Sequence, residues 1–240
     1  MKKILSLFLV VATAAAMLAS CSGKNPASTT TVYTGTTINT VPPEAEETYT
    51  LKPGEILFEA DRNSTVENAI KLVSFKTVNQ KIVIGDKYMD EFGNVYTITC
   101  VGIGPGSKVP AKNDELFTFL EILGGDTKRV ASSSFQACAY LANVSLGEGV
   151  ESVGEYSFYL CKQLSVLSLP ESLTEIGPMA FSETGLKEVV VPKNVTKIGK
   201  LAFANCSDLE KVTLPSRFND EALLREIFVE YDDIEIIFAD

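Results

Sequence analysis

The chain has 240 residues, of which 45% are hydrophobic and 9% aromatic, and its 31 acidic and 21 basic side chains give a formal net charge of −10. This length accommodates one or two domains, and an acidic chain without a basic stripe is a poor candidate for nucleic-acid binding. The absence of histidine excludes Ser-His-Asp and Cys-His catalysis and removes the commonest zinc ligand.

Residues 1–20 have the composition of a targeting segment. Lys2 and Lys3 supply positive charge, residues 4–16 form an apolar run, and small residues lead up to Cys21. This order resembles the signal peptide of bacterial lipoproteins, in which the cysteine becomes the acylated N-terminus; a plain secretory signal is the alternative. We therefore expect Cys21 to be lipidated and to hold the protein at a membrane through its acyl chains.

The residues that follow Cys21 bear on the address of the protein. Ser22 stands where an aspartate would favour retention in an inner membrane, so the resemblance implies a lipid-anchored protein of the cell envelope, in the outer membrane. Both locations stay open, the cell surface and the periplasmic side of that membrane. Ser, Thr, Pro, Gly and Asn dominate residues 21–47, and this composition predicts an extended, mobile tether that holds a domain away from the membrane.

Residues 48–116 are globular in composition but do not repeat. We predict strands at 55–58 and 81–84, a helix at 68–73 behind a capping sequence, and a hairpin within 86–100 that turns at Gly93-Asn94. The segment is either a small β domain or a β-rich cap. The cap is favoured because a stack of repeats needs its open apolar end covered.

A sequence repeat occupies residues 130–216. One position recurs at intervals of 23, 23 and 22 residues and is filled by Phe135, Phe158, Phe181 and Phe203. Cysteine follows three residues later at Cys138, Cys161 and Cys206, and leucine follows in every copy at Leu141, Leu164, Leu186 and Leu209. A period in the low twenties predicts a solenoid in which these side chains form ladders inside stacked coils.

Each copy contains one short segment with strand-like alternation. The segments lie at 141–146, 164–169, 186–191 and 209–214, and proline follows the last three. We expect them to pair in parallel, one per coil, at about 4.8 Å spacing. Residues 119–123 have the spacing of a first, degenerate coil, which places the solenoid at 117–216.

The pattern I-G-x-x-A-F-x-x-C-x-x-L-x-x-V-x-L-P resembles the BspA-like family of bacterial surface leucine-rich repeats. The third copy departs from it, because it is one residue short and has Thr184 at the cysteine position. The resemblance implies a β-rich (α+β) fold, a short right-handed leucine-rich-repeat solenoid with a parallel strand ladder and β-containing caps. It also implies binding of a protein, such as a host matrix component or a neighbouring envelope protein, and no enzymatic activity.

The outward positions of the strands are the candidate binding face. If Leu141, Val144 and Leu146 point inward, their neighbours point out. The eight outward residues are Asn143, Ser145, Val166, Ser168, Glu188, Val190, Lys211 and Thr213. An ordinary solvated sheet face is an equally good interpretation, since exposed sheets carry polar residues in any case.

Other patterns favour no chemistry. The repeat cysteines have no zinc-motif spacing, and we expect buried free thiols although Cys138 and Cys161 lie in neighbouring coils. The glycine-rich residues 102–108 match no phosphate-loop motif, and the acidic residues 232–235 do not match a calcium loop. We predict no cofactor, no metal and no catalytic residue.

Residues 217–240 are predicted to close the far end of the solenoid. Residues 219–228 have the pattern of a short amphipathic helix with acidic residues at its start, and residues 233–238 alternate like an edge strand. The sequence thus favours an envelope-anchored, protein-binding adhesion scaffold. A glycan-binding accessory protein or enzyme, for which a pocket lined by aromatic and carboxylate side chains is expected, and a purely structural spacer are the alternatives.

Overall fold

The computed structural model describes residues 56–62, 64–75, 81–89, 92–102, 117–229 and 231–239. The predicted signal peptide, the lipidation site at Cys21, the tether and most of the glycine-rich residues 102–108 lie outside these ranges.

The described residues form fifteen short strands and one α-helix. In chain order these are β1 (Ile56–Ala60), β2 (Ala69–Phe75), β3 (Lys81–Ile84), β4 (Lys87–Met89), β5 (Val95–Val101), β6 (Phe119–Ile122), β7 (Arg129–Val130), β8 (Asn143–Leu146), β9 (Ser152–Val153), β10 (Val166–Ser168), β11 (Glu175–Ile176), β12 (Glu188–Val190), β13 (Lys197–Ile198), β14 (Lys211–Pro215), α1 (Glu221–Phe228) and β15 (Glu235–Ala239). A 3-10 turn, Ser216–Phe218, separates β14 from α1.

The chain winds as a solenoid in which each coil contributes one strand to each of two parallel ladders. The first ladder has the order β3-β6-β8-β10 and, separately, β12-β14-β15, and the second has the order β2-β5-β7-β9-β11-β13. Turns with phenylalanine at their centre link the second-ladder strand of one coil to the first-ladder strand of the next. The predicted short solenoid with a parallel strand ladder is confirmed.

A column of six phenylalanine rings fills the interior. The rings belong to Phe117, Phe135, Phe158, Phe181, Phe203 and Phe228, and all of them are buried. Successive ring centroids lie 6.3, 5.3, 5.4, 5.5 and 5.9 Å apart. The three central pairs are parallel to within 8°. The predicted common interior is therefore present, and its dispersion contacts extend from coil to coil.

The turns that carry the phenylalanines are also joined by backbone hydrogen bonds. The amides of Tyr156, Phe158 and Leu160 donate to carbonyls of the following coil at 3.0, 2.8 and 3.1 Å. The residues two before and two after each repeat phenylalanine have positive φ, a conformation that is strained for side chains other than glycine. These residues are Ser133, Ala137, Tyr156, Leu160, Met179, Glu183, Leu201 and Asn205. Stacking therefore stabilises a backbone shape that a single coil would not hold.

The helix predicted at 68–73 is wrong, because residues 69–73 lie in β2. Ile70 and Leu72 alternate inward with Lys71 between them, and β2 pairs in parallel with β5. Alternating burial in the stack outweighs the local capping signal. The predicted hairpin is confirmed, since β4 and β5 are antiparallel on either side of the Gly93 turn.

Both ladders extend beyond the repeats visible in the sequence. At the N-terminal end, β3 pairs with β6 and β5 with β7, so a coil precedes the residues 119–123 that we expected to be the first. At the other end β15 pairs in parallel with β14, and Phe228 of α1 completes the ring column. The Asp220 carboxylate caps α1 by accepting from the Leu223 amide at 3.0 Å. The C-terminal segment is thus a modified last coil.

Among the helices in the described part of the chain, none combines the length and the hydrophobicity needed to cross a bilayer.

Candidate binding face of the solenoid

The first ladder separates the interior from the candidate face. Val144 and Val189 point inward and are each 1% exposed, whereas the residues beside them point outward. The outward side chains are partly buried at Asn143, Ser145, Lys211 and Thr213 and exposed at Val166, Ser168, Glu188 and Val190.

Parallel register brings these eight residues into columns. Asn143 is level with Val166, and Ser145 with Ser168. On the other side of the face, Glu188 is level with Lys211, and Val190 with Thr213. The structure therefore assembles the face in two blocks of four residues, each with its own hydrogen-bonded strands.

The two blocks are separated because β10 and β12 do not pair. In the neighbouring coil the amides of Ser165 and Val166 donate to the Ala142 carbonyl, at 3.0 and 3.2 Å. Among the backbone hydrogen bonds of the described residues, none joins Lys187 or Glu188 to Ser165 in the same way. The third copy has one residue fewer between its phenylalanine and its leucine, and the ladder is interrupted at this shortened connection.

Exposed apolar side chains flank the interruption. Val166 is 56% exposed and Val190 is 58% exposed, one on each side. Leu167 points inward but is less deeply buried than Val144 or Val189, because no strand covers that side of it. The centre of the face thus carries two exposed valines, with Glu188 beside Val190 on β12 and Lys211 on the next strand. Protein contact surfaces combine apolar and charged side chains in this way.

Four residues extend the face beyond the predicted set. Phe119 and Glu121 of β6 are level with Asn143 and Ser145. At the other end, Glu235 and Ile237 of β15 are level with Lys211 and Thr213. The degenerate coil at 119–123 already carried the signal for the first pair, but the parallel pairing of β15 could not be read from its alternation alone.

The repeat cysteines lie inside the stack, as predicted. Cys138, Cys161 and Cys206 are buried and free, and so is Cys100. The Cys161 thiol donates to the Phe135 carbonyl at 3.1 Å. Burial first, and then its hydrogen bond with Cys138, raises the pKa of the Cys161 thiol well above its ordinary value. The Cys161 thiol is therefore a protonated packing group.

Thr184 replaces cysteine in the third coil but bonds a different carbonyl. Cys161 and Cys206 donate to the phenylalanine carbonyl of the preceding coil, whereas Thr184 donates to that of its own coil. Its hydroxyl donates to the Phe181 carbonyl at 2.8 Å and lies 3.2 Å from the Cys206 sulfur. Thr184 is 4% exposed, so its hydroxyl needs these partners. At Cys161, Thr184 and Cys206 this position therefore holds a small donor to a phenylalanine carbonyl, although not to the carbonyl of the same coil in each case.

A buried charge cluster joins the N-terminal strands to the first coils. The Asp61 carboxylate, whose side chain is fully buried, accepts from Arg129 Nη2 and from the Thr99 hydroxyl, both at 2.6 Å, and Lys71 Nζ lies 3.8 Å away. Burial also raises the pKa of the neighbouring Cys100 thiol. The sequence gives no sign of this cluster, because Asp61, Thr99 and Arg129 are far apart in the chain. Its full pairing indicates a structural role.

A polar depression opens beside the shortened coil. Its volume is about 400 Å³, and its lining consists of Lys162, Glu183, Thr184, Gly185, Asn205, Ser207 and Asp208. The Tyr159 hydroxyl donates to Glu183 Oε1 at 3.0 Å. That hydrogen bond is the main reason why the pKa of Tyr159 is raised above its ordinary value. None of these residues was predicted as a site.

The acidic residues near the C-terminus do not form a metal site. Asp232, Asp233 and Glu235 are exposed before and at the start of β15. In the ranges that the structure describes, no group of three or more potential ligands is placed to hold a metal ion.

Comparison with known proteins identifies the repeat region. Residues 118–230 match the family model described as the BspA type leucine rich repeat region, in six copies. No curated protein gives a significant match to the chain.

Two solved structures share the fold. A leucine-rich repeat protein from Bacteroides ovatus ATCC 8483 has a TM-score of 0.55 and 22% identity, and the match covers 70% of this chain and 42% of that protein. The T. pallidum leucine-rich repeat protein has a TM-score of 0.60 and 19% identity, with coverage of 79% and 82%. This chain thus spans less than half the length of the Bacteroides protein.

Proposed function

We propose that this protein is a lipid-anchored envelope protein that binds a protein partner through the outward face of its first ladder. Residues 118–230 match the model of the BspA type leucine rich repeat region, and repeats of this kind serve as protein-interaction scaffolds. The observation that carries the proposal is the pair of exposed valines at the centre of that face. Repeat solenoids of this shape bind partners over extended surfaces.

The composition of the face suits a protein better than a small ligand. Val166 and Val190 supply apolar area, and Glu188 and Lys211 supply opposite charges that are level with each other in the ladder. The six strands that carry the face residues, β6, β8, β10, β12, β14 and β15, give a face roughly 25 Å long at about 4.8 Å spacing. Desolvated apolar side chains inside a polar rim contribute most of the affinity at such surfaces.

Anchoring and adhesion are proposed from the sequence of the leader. Cys21 would carry the acyl chains, palmitate among them, and residues 22–47 would place the solenoid away from an outer membrane. The partner would then be a host matrix protein or a neighbouring envelope protein.

The test of the face uses the chain from residue 22 onward and purified matrix and envelope proteins, with binding measured by surface plasmon resonance. We expect saturable binding to a protein, weakened about tenfold or more by Val166→Glu with Val190→Glu. Val66→Glu is the matched control, because Val66 is also an exposed valine but lies outside the first ladder. Binding that is unaffected by the double substitution would contradict the proposed face, and the absence of any protein ligand would favour a structural spacer.

The anchor is tested separately in cells. We expect metabolic labelling with palmitate in the natural sequence and none in Cys21→Ala, with loss of membrane association. Protease added to intact cells then separates the two faces of the envelope, since a protein that is protected until lysis cannot act as an adhesin on host tissue.

A further inference from the structure

The polar depression beside the third coil arises from the missing residue. Phe181 and Leu186 are five positions apart, whereas the corresponding residues of the second coil, Phe158 and Leu164, are six apart. The chain passes through Gly185, where a Cβ atom would lie 2.6 Å from the Lys162 carbonyl. The tight path of the short connection leaves a recess of about 400 Å³ between this coil and its neighbours.

The groups in the recess include both donors and acceptors. The side chains of Lys162 and Asn205 have no hydrogen-bonding partner within the described residues, so their N–H groups are available. Glu183 and Asp208 supply carboxylate oxygens, and Ser207 supplies a hydroxyl. Donors and acceptors placed side by side match a ligand whose own groups both donate and accept, which is the property of a hydroxyl.

The balance of charge argues against ions. A phosphate would face the carboxylates of Glu183 and Asp208, and a bare divalent cation would face the ammonium group of Lys162. A neutral ligand rich in hydroxyl groups meets neither repulsion.

Tyr159 is joined to the lining of the recess through its hydrogen bond to Glu183. The rings of Tyr156 and Tyr159 are 5.5 Å apart in an edge-to-face arrangement, and both are half-buried. The Tyr159 hydroxyl holds Glu183 in place through its 3.0 Å hydrogen bond. Aromatic rings provide an apolar platform with a polar end, which suits the C–H face of a sugar ring next to its hydroxyl groups.

We propose that this recess is a binding site for a neutral saccharide, in which Glu183, Asn205 and Asp208 bind hydroxyl groups and the Tyr159 ring supports the sugar face. The site lies outside the strand face, so it is independent of the protein-binding proposal. Its lining contains carboxylates, as the glycan-binding alternative requires, but no aromatic side chain. In this proposal the aromatic ring is that of Tyr159, which is bonded to Glu183 of the lining.

The experiment measures binding of linear neutral tetrasaccharides to the chain from residue 22 onward by isothermal titration calorimetry. The probes are cellotetraose, mannotetraose and chitotetraose. We expect saturable binding of at least one of them, weakened roughly tenfold by Asp208→Asn and by Tyr159→Ala. Tyr159→Phe keeps the ring and loses the hydrogen bond to Glu183, so its effect is expected to be smaller.

Two controls keep the outcomes distinct. Asp233→Asn removes the same charge at an exposed position away from the recess and should leave saccharide binding unchanged. Val166→Glu with Val190→Glu should also leave it unchanged, whereas the recess variants should leave protein binding intact. No binding of any of the three probes, or binding unaltered by the recess substitutions in folded protein, overturns the proposal.

Discussion

The second and third coils have the same interior and different exteriors. In the second coil Leu164 lies six positions after Phe158, and β10 pairs with β8. In the third coil Leu186 lies five positions after Phe181, and β12 pairs with β14 but not with β10. Nevertheless Phe158 and Phe181 stack at 5.4 Å with their planes 3° apart.

The difference shows which constraints the stack enforces. Side-chain columns inside the solenoid tolerate the loss of a connecting residue because Phe181 and Leu186 still reach their positions, where both are 0% exposed. The first ladder does not tolerate it, since parallel pairing requires neighbouring strands to keep their register. The second ladder continues across the shortened connection, from β9 through β11 to β13. The shorter connection therefore changes the surface and not the interior. Exposed valines flank the unpaired strands, and a polar recess lies beside them.

The largest effect is expected from the ring column. Phe158→Ala and Phe181→Ala should each lower the free energy of unfolding by about 3–5 kcal/mol, because each removes a fully buried ring between two others. Urea denaturation measures the loss. Val166→Ala is the control, since an exposed side chain should change stability by less than about 0.5 kcal/mol. A markedly smaller loss at Phe181 would show that the shortened coil packs less tightly than its neighbour.

Alkaline pH should lower the free energy of unfolding, because the buried thiols are protonated in the folded protein. Burial raises the pKa of the thiols of Cys161 and Cys206, so the folded protein keeps protons that the unfolded chain releases. Their contribution is complete below the ordinary thiol pKa and is lost as pH rises above it, by at most about 1.4 kcal/mol per pH unit for each thiol.

Urea midpoints between pH 7 and pH 10 measure this slope. We expect a shallower slope for Cys161→Ala than for the natural sequence. Equal slopes in the two proteins would mean that folding does not raise the pKa of the Cys161 thiol.

Thr184→Ala sharpens the comparison at the cysteine position. The substitution removes the donor to the Phe181 carbonyl, which keeps only the Cys206 thiol at 3.2 Å. We expect a loss of roughly 1–2 kcal/mol in thermal or urea unfolding. Thr184→Cys restores the residue found in the other coils and should retain most of the stability. If it is as damaging as alanine, the short coil requires the threonine for its shape.

The smallest expected effect is local. The amides of Lys187 and Glu188 lack the inter-coil hydrogen bonds that Ser165 and Val166 make, so they should exchange with deuterium faster, by at least about tenfold. Hydrogen exchange followed by mass spectrometry of peptides that cover 164–169 and 186–191 provides the measurement. Equal protection in the two peptides would show that the ladder closes in solution.

The sequence by itself determined the interior. The spacing of Phe135, Phe158, Phe181 and Phe203 defined the coils, and the alternation around them predicted which side chains are buried. The spacing is informative because a stack can bury only positions that recur at the same place in every coil. Where the recurrence is weak, the sequence gives less: it predicts a helix at 68–73, where the structure has β2, and it does not reveal the coil that contains β3.

Only the tertiary structure decided how the coils meet. The interruption between β10 and β12, the Asp61 cluster with Arg129 and the recess around Glu183 all depend on contacts between residues that are distant in the chain. A missing residue in one copy is visible in the sequence, but its consequence is not. The shorter connection could displace Phe181 from the column or leave β10 and β12 unpaired. The second occurs, because burying an aromatic ring stabilises the fold more than a few exposed hydrogen bonds do.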